Sequence, residues 1–429
     1  MALFGRKKPM PVEEEPVVEE PRLPEAPPVN AAGLRSARDH REYLLSLVEP
    51  LRPFGMSLLE AWDQVMCEDI DSMINVPPNS TSKVEGYAVR ATDLVDSEGN
   101  LVESLDLVDQ TGERLERGAA VAVRVSDVLP RGATAVLPSS FATLSEGKLA
   151  LVDTVAEGDY VRAAGEHLAI GTRLLSQGEV LNDRAIGMLA GAGIDKVLVR
   201  PRPRIVVLSS GEDMVDPGEE LRHGQTTDSN SFMIAAAARA AGATVFRVAI
   251  HSNDRDHLKQ VVSDQLIRAD LLVSASGGRL GDYEAMAAAM ADLGLTDSVD
   301  VAMSPGRTQT FGLIGEEQVP MVMLPGNPVS AYVSFHAFVW PLIRRLAGAD
   351  ENRRPVRAIT STTLRSTRGQ LHLLRADLRS SSSVRTVERV QDPHALTELV
   401  RSNALIVLDE ETEMIAAGQA VMCWRLDED

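Results

Sequence analysis

Cysteine is nearly absent from this chain. Cys67 and Cys423 are the only two, far apart and without Cys or His neighbours at ligand spacing. That argues against a disulfide framework or a zinc ribbon, and fits a reducing compartment. Positive charge is also short: 43 Lys and Arg stand against 62 Asp and Glu, a formal net charge of −19. Phosphate-rich partners would be repelled, so neither nucleic acid nor an anionic membrane is an expected partner. No apolar run approaches the roughly 20 residues that span a bilayer. The opening MALFGRKKP carries a basic cluster with no apolar segment behind it, unlike a secretory leader. The expected location is the cytoplasm.

At 429 residues the chain is too long for one ordinary core, and several domains are expected. Residues 6–30 are dominated by proline and glutamate with no apolar period, which reads as a disordered tail over 1–35. Tyr43, Leu44, Leu47 and Val48 then fall at helical spacing, and a second helix is expected over Leu58–Glu68. Short β-branched runs separated by glycine and proline mark an inserted β domain over 76–160. A helical piece follows at Asp183–Ala192. Between 201 and 347 strands alternate with helices: RIVVL, TVFRVAI, DLLVS and VPMVML, with helices near 230–241, 254–268, 283–293 and 328–346. Continuous apolar strands between helices imply a parallel sheet covered on both faces. Residues 348–429 read as a C-terminal β domain. The fold class is thus α/β plus all-β.

Ligands of a parallel α/β sheet bind beyond the carboxyl ends of its strands. Three such ends here share one character. RIVVL leads into Ser209-Ser210-Gly211-Glu212-Asp213, DLLV into Ser274-Ala275-Ser276-Gly277-Gly278 and then Gly281-Asp282-Tyr283-Glu284, and VPMVML into Pro325-Gly326-Asn327-Pro328-Val329-Ser330. Small residues admit a ligand close to the backbone, and helix N-termini offer N–H groups to an anion. Carboxylates beside a phosphate suggest Mg²⁺, which takes oxygen ligands. Each loop alone can equally be a turn with a helix cap. Thr227-Asp228-Ser229-Asn230 is ambiguous in the same way: Ser229 or Asn230 suits an N-cap, while Asp228 could face the cleft.

On the motifs GEELRHGQTTDSN, GDYE, VAMSPGRTQTFG and LPGNPVSAYVSF, the chain from about 36 to 429 resembles the molybdopterin molybdenumtransferases, the family that includes the E domain of gephyrin. The resemblance implies an elongated homodimer with four subdomains: a helical dimerisation domain (36–75 and 161–200), the inserted β domain, a molybdopterin-binding α/β domain and a C-terminal β barrel. It implies molybdate and adenylylated molybdopterin as substrates, with a divalent metal. The residues it brings forward are Glu85, Asp213, Asp228, Asp254, Asp282 and Glu284 as catalytic or remnant acids. Arg162, Ser209, Ser210, Gly211, Ser274, Ser276, Gly277, Arg307, Pro325, Gly326, Asn327 and Ser330 are the ligand-binding set.

Against the family pattern several positions depart. Ser-Ala-Met-Asp-Gly-Tyr-Ala is here Ser82-Lys83-Val84-Glu85-Gly86-Tyr87-Ala88. Gly-Glu-Asp is Gly165-Glu166-His167, Thr-Gly-Asp-Glu is Ser210-Gly211-Glu212-Asp213, and Asp-Asp is Asn253-Asp254. Thr-Ser-Gly-Gly is Ser274-Ala275-Ser276-Gly277. Gly-Asp-Tyr-Asp ends in Glu284, and Lys-Pro-Gly-Lys-Pro is Ser304-Pro305-Gly306-Arg307-Thr308. A misplacement of about 1 Å can cost on the order of 100-fold in rate. The expected function is therefore a gephyrin-like dimeric scaffold with a degraded site. It would resemble the actinobacterial gephyrin-like proteins associated with the division protein FtsZ. Its groove would bind a peptide tail near Tyr43, and the protein would be recruited to the division site. The alternative is an active molybdenumtransferase whose substitutions compensate one another.

Overall fold

The computed structural model describes residues 22–109, 114–275, 280–381, 384–390 and 396–427, with only the backbone for Leu280. Two compact units are distinguished: Pro50–Arg202 with Ala347–Ala349, and the remainder.

The α/β part of the larger unit is built on Arg204–Ser210, a strand buried along all but its first residue. It pairs in parallel with Thr244–Ile250 on one side and Leu271–Ala275 on the other, and Val319–Leu324 continues the parallel set. These are the four strands that the apolar runs foretell. The sheet does not stay parallel, however. Thr308–Ile314 runs antiparallel to Val319–Leu324, and Gly294–Ser304 antiparallel to Thr308–Ile314. The second strand of that hairpin, Thr308–Ile314, is buried along most of its length, while Gly294–Ser304 is mostly half-buried until its last residues. The core packs Leu208, Ile250, Leu272 and Met323 against Leu258, Val262, Met286 and Met290 of two flanking helices.

The last two residues of Gly294–Ser304 join this sheet to the C-terminal one, Met303 beside Leu371 and Ser304 beside His372. From there the order is Leu371–Ser380, Arg385–Arg389, Val356–Thr360, Ala420–Arg425, Ala404–Leu408 and back to Leu371–Ser380. The circuit closes, so the C-terminal domain is a β barrel, which leaves no free edge. Its interior holds Leu364, Val387, Ile406 and Cys423. Burial pushes the Cys423 thiol up to about 12, so it behaves as a small apolar side chain.

The smaller unit carries a six-stranded sheet between Gly86 and Leu151, matching the expected inserted β domain. Residues on either side of it form strand pairs, Phe54–Ser57 with Lys196–Val199 and Ile70–Asp71 with Arg173–Leu175. Around them the one α-helix among the described residues is Asp183–Gly191. The expected helix at Leu58–Glu68 is not formed. Residues 58–63 are turns, and Val65 and Met66 make isolated bridges to Val180 and Val199. Asp63 takes φ +62, which breaks helical winding. The apolar side chains Leu58, Ala61 and Met66 still enter the core against Leu181, Ala185 and Leu189. The apolar spacing thus recorded burial, not helix.

Two further readings change. The segment 328–346 is not one α-helix: Phe335–Val339 is wound as a π-helix between Pro328–Ser334 and Trp340–Leu346. The tail is shorter than the composition suggested. Leu34–Ser36 is a strand pairing in parallel with Asp300–Ala302. Before it, Pro24 and Pro27 offer backbone oxygens to Tyr43 Oη at 3.2 Å and Arg35 Nε at 3.1 Å. The rest of the expected tail, residues 1–21, lies outside the described residues.

Candidate functional site

Ser209, Ser210 and Ser274 stand at the carboxyl ends of adjacent parallel strands, all buried. The Ser274 hydroxyl has no hydrogen-bond partner among the described residues. A buried donor left unmade costs about 1–3 kcal/mol, so such a group marks a place where something else binds or structure yields to function. Ser276 and Gly277, the rest of that loop, lie outside the described residues. Gly211 continues the first strand. A Cβ there would stand 3.1 Å from Asp282 Oδ2, so close approach of strand end and carboxylate needs glycine. Asp282 is buried and accepts a hydrogen bond from Asn253 Nδ2 at 2.8 Å. Ser209, Ser210, Gly211, Asn253, Asp282 and the end of the Ser274 strand therefore form one cluster.

The other acids separate. Asp228 does not face a cleft. It caps the helix Asn230–Ala240, accepting from Ser231 N at 3.0 Å and Ser231 Oγ at 2.5 Å, with Arg247 Nη1 at 3.4 Å. Ser229, in the N-cap position, makes no side-chain cap bond. Asp254 is exposed and caps the next helix through His257 N at 2.8 Å. Asp213 sits half-buried in the turn after Arg204–Ser210, its backbone oxygen accepting from Thr226 N. Glu284 is exposed on its helix. Among the described residues no three His, Cys, Asp or Glu side chains could hold one metal ion. A Mg²⁺ held at Asp282 would take its other ligands from substrate phosphate and water, as Mg²⁺ commonly does.

The third loop is tightly braced. Asn327 caps Pro328–Ser334 by accepting from Val329 N and Ser330 N, both at 3.1 Å, and the Gly326 oxygen accepts from Asn230 Nδ2 at 2.7 Å. Pro325 and Ser330 are half-buried beside it. Across from it, the turn Ser304–Arg307 is clamped by buried Gln309, whose Nε2 donates to the Gly306 oxygen at 2.7 Å and to Ser334 Oγ at 2.9 Å. Arg307 is exposed and paired with Asp300 at 2.9 Å.

Between these two loops and the barrel lies a cavity of about 520 Å³. One wall is Ser304, Pro305, Asn327 and Ser330; the other is Arg365, His372, Arg375 and Arg389. Burial, then the Arg389 charge, pushes the His372 pKa down, so the ring is neutral and the arginines alone supply charge. Fixed guanidiniums facing small polar groups make an oxyanion site. The barrel arginines were missed in the sequence because they belong to a separate run of chain. The signal that could have found them is their number on consecutive strands of an acidic protein.

In the smaller unit, Glu85 is exposed, and its backbone oxygen accepts from Ser139 N and Oγ, both at 3.2 Å. Neighbouring Lys83 pairs with Glu166 at 2.9 Å and holds that carboxyl below its ordinary range. Arg162 pairs in a short strand with Thr81 and adds a weaker pull on Glu166. The lysine that entered this loop and the kept glutamate are thus partners. Tyr43, expected to face a partner, is instead buried under the Arg35 guanidinium, 5.5 Å from its ring. It is a core residue that also holds the Pro24 segment.

Three family profiles match the chain: "MoeA N-terminal region (domain I and II)" over 35–193, "Probable molybdopterin binding domain" over 207–345 and "MoeA C-terminal region (domain IV)" over 357–426. Among curated proteins, Mycobacterium tuberculosis H37Rv has two relatives. Molybdopterin molybdenumtransferase 2 is 31% identical over 411 residues, covering 92% of this chain and all of the relative. Molybdopterin molybdenumtransferase 1 is 32% identical over 417 residues, covering 90% and 98%. Among solved structures, the molybdopterin biosynthesis moeA protein of Pyrococcus horikoshii superposes with a TM-score of 0.79 at 23% identity over 92% of this chain and all of the other, which shows a shared fold.

Proposed function

The chain belongs to the MoeA family of molybdopterin molybdenumtransferases, and on that premise we propose that it serves molybdenum cofactor biosynthesis by bringing molybdate to molybdopterin. The observation that carries this reading is the cavity between the Ser304–Arg307 and Pro325–Ser330 loops and the barrel arginines Arg365, Arg375 and Arg389. Its charge suits a tetrahedral oxyanion substrate. The lysine expected at Ser304 is absent, but Ser304 lies beside His372 in the strand pairing that brings up the arginine wall. That supports a compensated site over a lost one. Molybdopterin would lie along the strand ends, where the Ser274 hydroxyl, unpartnered among the described residues, awaits a polar ligand atom. Bound there, molybdopterin supplies the dithiolene that receives molybdenum; this chain's residues hold and orient the two substrates. The work is assigned to the cytoplasm, and among the described residues no helix is long and apolar enough to cross a membrane. The test is complementation of a strain lacking its own transferase, scored by a molybdoenzyme activity, beside calorimetric titration of the protein with molybdate. No rescue and no molybdate binding would remove the reading.

A second reading, the dimeric scaffold, is favoured by one observation. A groove of about 270 Å³ is lined by Ala37, Arg38 and Arg41 of the first helix together with Trp340, Leu371 and Trp424. It lies on that helix, though not at Tyr43. A short, partly apolar tail such as that of FtsZ is the candidate occupant by resemblance. A homodimer fits the exposed Phe54, Leu59, Trp62 and Met73 of the smaller unit. Calorimetry with the FtsZ tail and light scattering for the mass test the two parts; a monomer near 46 kDa would end the dimer.

A further inference from the structure

Arg344, Arg353, Arg354 and Arg425 line one cavity of about 410 Å³, with Asp350 the one carboxylate residue in its described lining. Arg353 is already engaged, donating to the Arg425 backbone oxygen at 2.9 Å and to His336 Nδ1 at 2.7 Å. The Asp350 carboxylate is turned to Asn352, accepting its backbone N at 3.0 Å and its Nδ2 at 3.3 Å. The indole of Trp340 carries two of the guanidiniums, Arg353 at 4.1 Å and Arg344 at 5.7 Å, which fixes positive charge in place. Among the described residues no carboxylate pairs with Arg344 or Arg354, and Arg344 reaches only the Asp350 backbone oxygen. The cavity shares Trp340, Asn352 and Arg353 with the groove, whose lining includes Phe338 and Trp424 and also Glu351, Asp409 and Glu410 beside Arg38 and Arg41. Together they make one strip: a groove with apolar side chains and mixed charge, and a cationic end at Arg344 and Arg354.

The same chain carries a sequence of the complementary kind. Residues 12–20 read Val-Glu-Glu-Glu-Pro-Val-Val-Glu-Glu, two acidic blocks around an apolar centre. They lie outside the described residues, which begin at Arg22. The entry point of that segment is fixed, because Pro24 is held on Tyr43 of the first helix. Arg38 and Arg41 of the same helix line the groove. A helix with its side chains is about 10–12 Å across, while the stretch from Glu15 to Pro24 spans up to about 30 Å. The segment is therefore long enough to cross the first helix to the groove that Arg38 and Arg41 line.

We propose that residues 12–20 dock on this strip of their own chain, Val17 and Val18 against the Trp340 and Trp424 side and the glutamates on Arg344 and Arg354. Tethering gives such a segment an effective concentration of about 1 mM. A sequence that binds as a free peptide at about 0.1 mM would thus cover the groove roughly nine-tenths of the time. Any external peptide entering the groove must displace it. Screening over about 10 Å at 0.1 M salt makes the contact salt-labile.

The experiment uses the full chain in a Trp62→Phe background, so that Trp340 and Trp424 alone report. Emission is followed from 20 to 500 mM NaCl, for the native tail and for a tail with Glu13, Glu14, Glu15, Glu19 and Glu20 changed to Gln. The native tail is expected to show a salt-dependent shift toward the signal of the neutral one, which is itself flat. A synthetic peptide of residues 10–21, titrated by calorimetry into the neutral-tail protein, is expected to bind near 0.1 mM. Arg344→Gln with Arg354→Gln should weaken it at least 10-fold. No binding of the peptide, or binding that the two arginine changes leave unaltered, overturns the proposal.

Discussion

Gly306 directly follows Ser304 and Pro305 of the oxyanion cavity wall and has no room for a side chain. It takes φ +94, and a Cβ there would stand 2.2 Å from Ser334 Oγ. Gly306→Ala therefore has two costs. The left-handed backbone penalises alanine by roughly 1–2 kcal/mol. The clash forces the Ser334 hydroxyl out of its rotamer, breaking its 2.9 Å bond from Gln309 Nε2, a further loss of about 1 kcal/mol. The expected destabilisation is about 2–3 kcal/mol. Ser334→Ala alone should cost about 1 kcal/mol through the same bond. Because that bond is already lost in Gly306→Ala, the double variant should be no less stable than Gly306→Ala itself. The double-mutant cycle should show about 1 kcal/mol of coupling. Urea unfolding followed by tryptophan emission in the Trp62→Phe background, where Trp340 and Trp424 report, gives the stabilities, and molybdate titration gives the effect on the site. A shift of about 1 Å in the Ser304–Arg307 turn should cost on the order of 100-fold in transfer. Strict additivity in the cycle, or unchanged molybdate binding in Gly306→Ala, would refute the reasoning.

Arg389→Ala should weaken molybdate binding at least 10-fold with little change in stability, since Arg389 lines the cavity and is not deeply buried; calorimetry checks it. Asp297→Ala strands Arg35, paired with it at 2.5 Å and nearly buried, and should cost about 3–5 kcal/mol. Limited proteolysis should then cut earlier around residues 22–36. His40 is buried and its pKa falls from 6.5 to about 4, through burial first and the Arg35 charge second. The folded state thus binds the proton less readily than the unfolded one. Stability is full above pH 6.5 and is lost as pH falls toward 4, by about 3 kcal/mol from this group. His40→Gln should flatten that part of a stability-versus-pH curve. Asp254→Ala should cost only about 1 kcal/mol, as a helix cap does, and leave molybdate binding intact.

The sequence by itself determined the class of each region. RIVVL, DLLVS and VPMVML are apolar on both faces and are buried between helices, while TVFRVAI, which carries Arg247, is the half-buried edge strand. Local pattern and tertiary need agree there, so the four parallel strands were legible. So was the strand-end position of Ser209, Ser210 and Ser274, because loop placement follows from strand direction. Leu58–Glu68 was misread because apolar spacing reports which side chains are buried and not the winding that buries them; Asp63 at φ +62 decided that. Asp228 and Asp254 could not be sorted from Asp282 by residue type. A carboxylate that caps a helix and one that meets a strand end look alike until backbone N–H groups are in place around them. Tyr43 kept helical spacing but only packing showed that its ring lies under Arg35. The barrel arginines are the clearest case of what tertiary structure alone decides. Arg365, Arg375 and Arg389 lie far along the chain from Ser304 and Asn327, and nothing local says they meet. Pairing of Ser304 with His372, a contact made only when the barrel closes against the α/β sheet, turns scattered charges into one oxyanion wall.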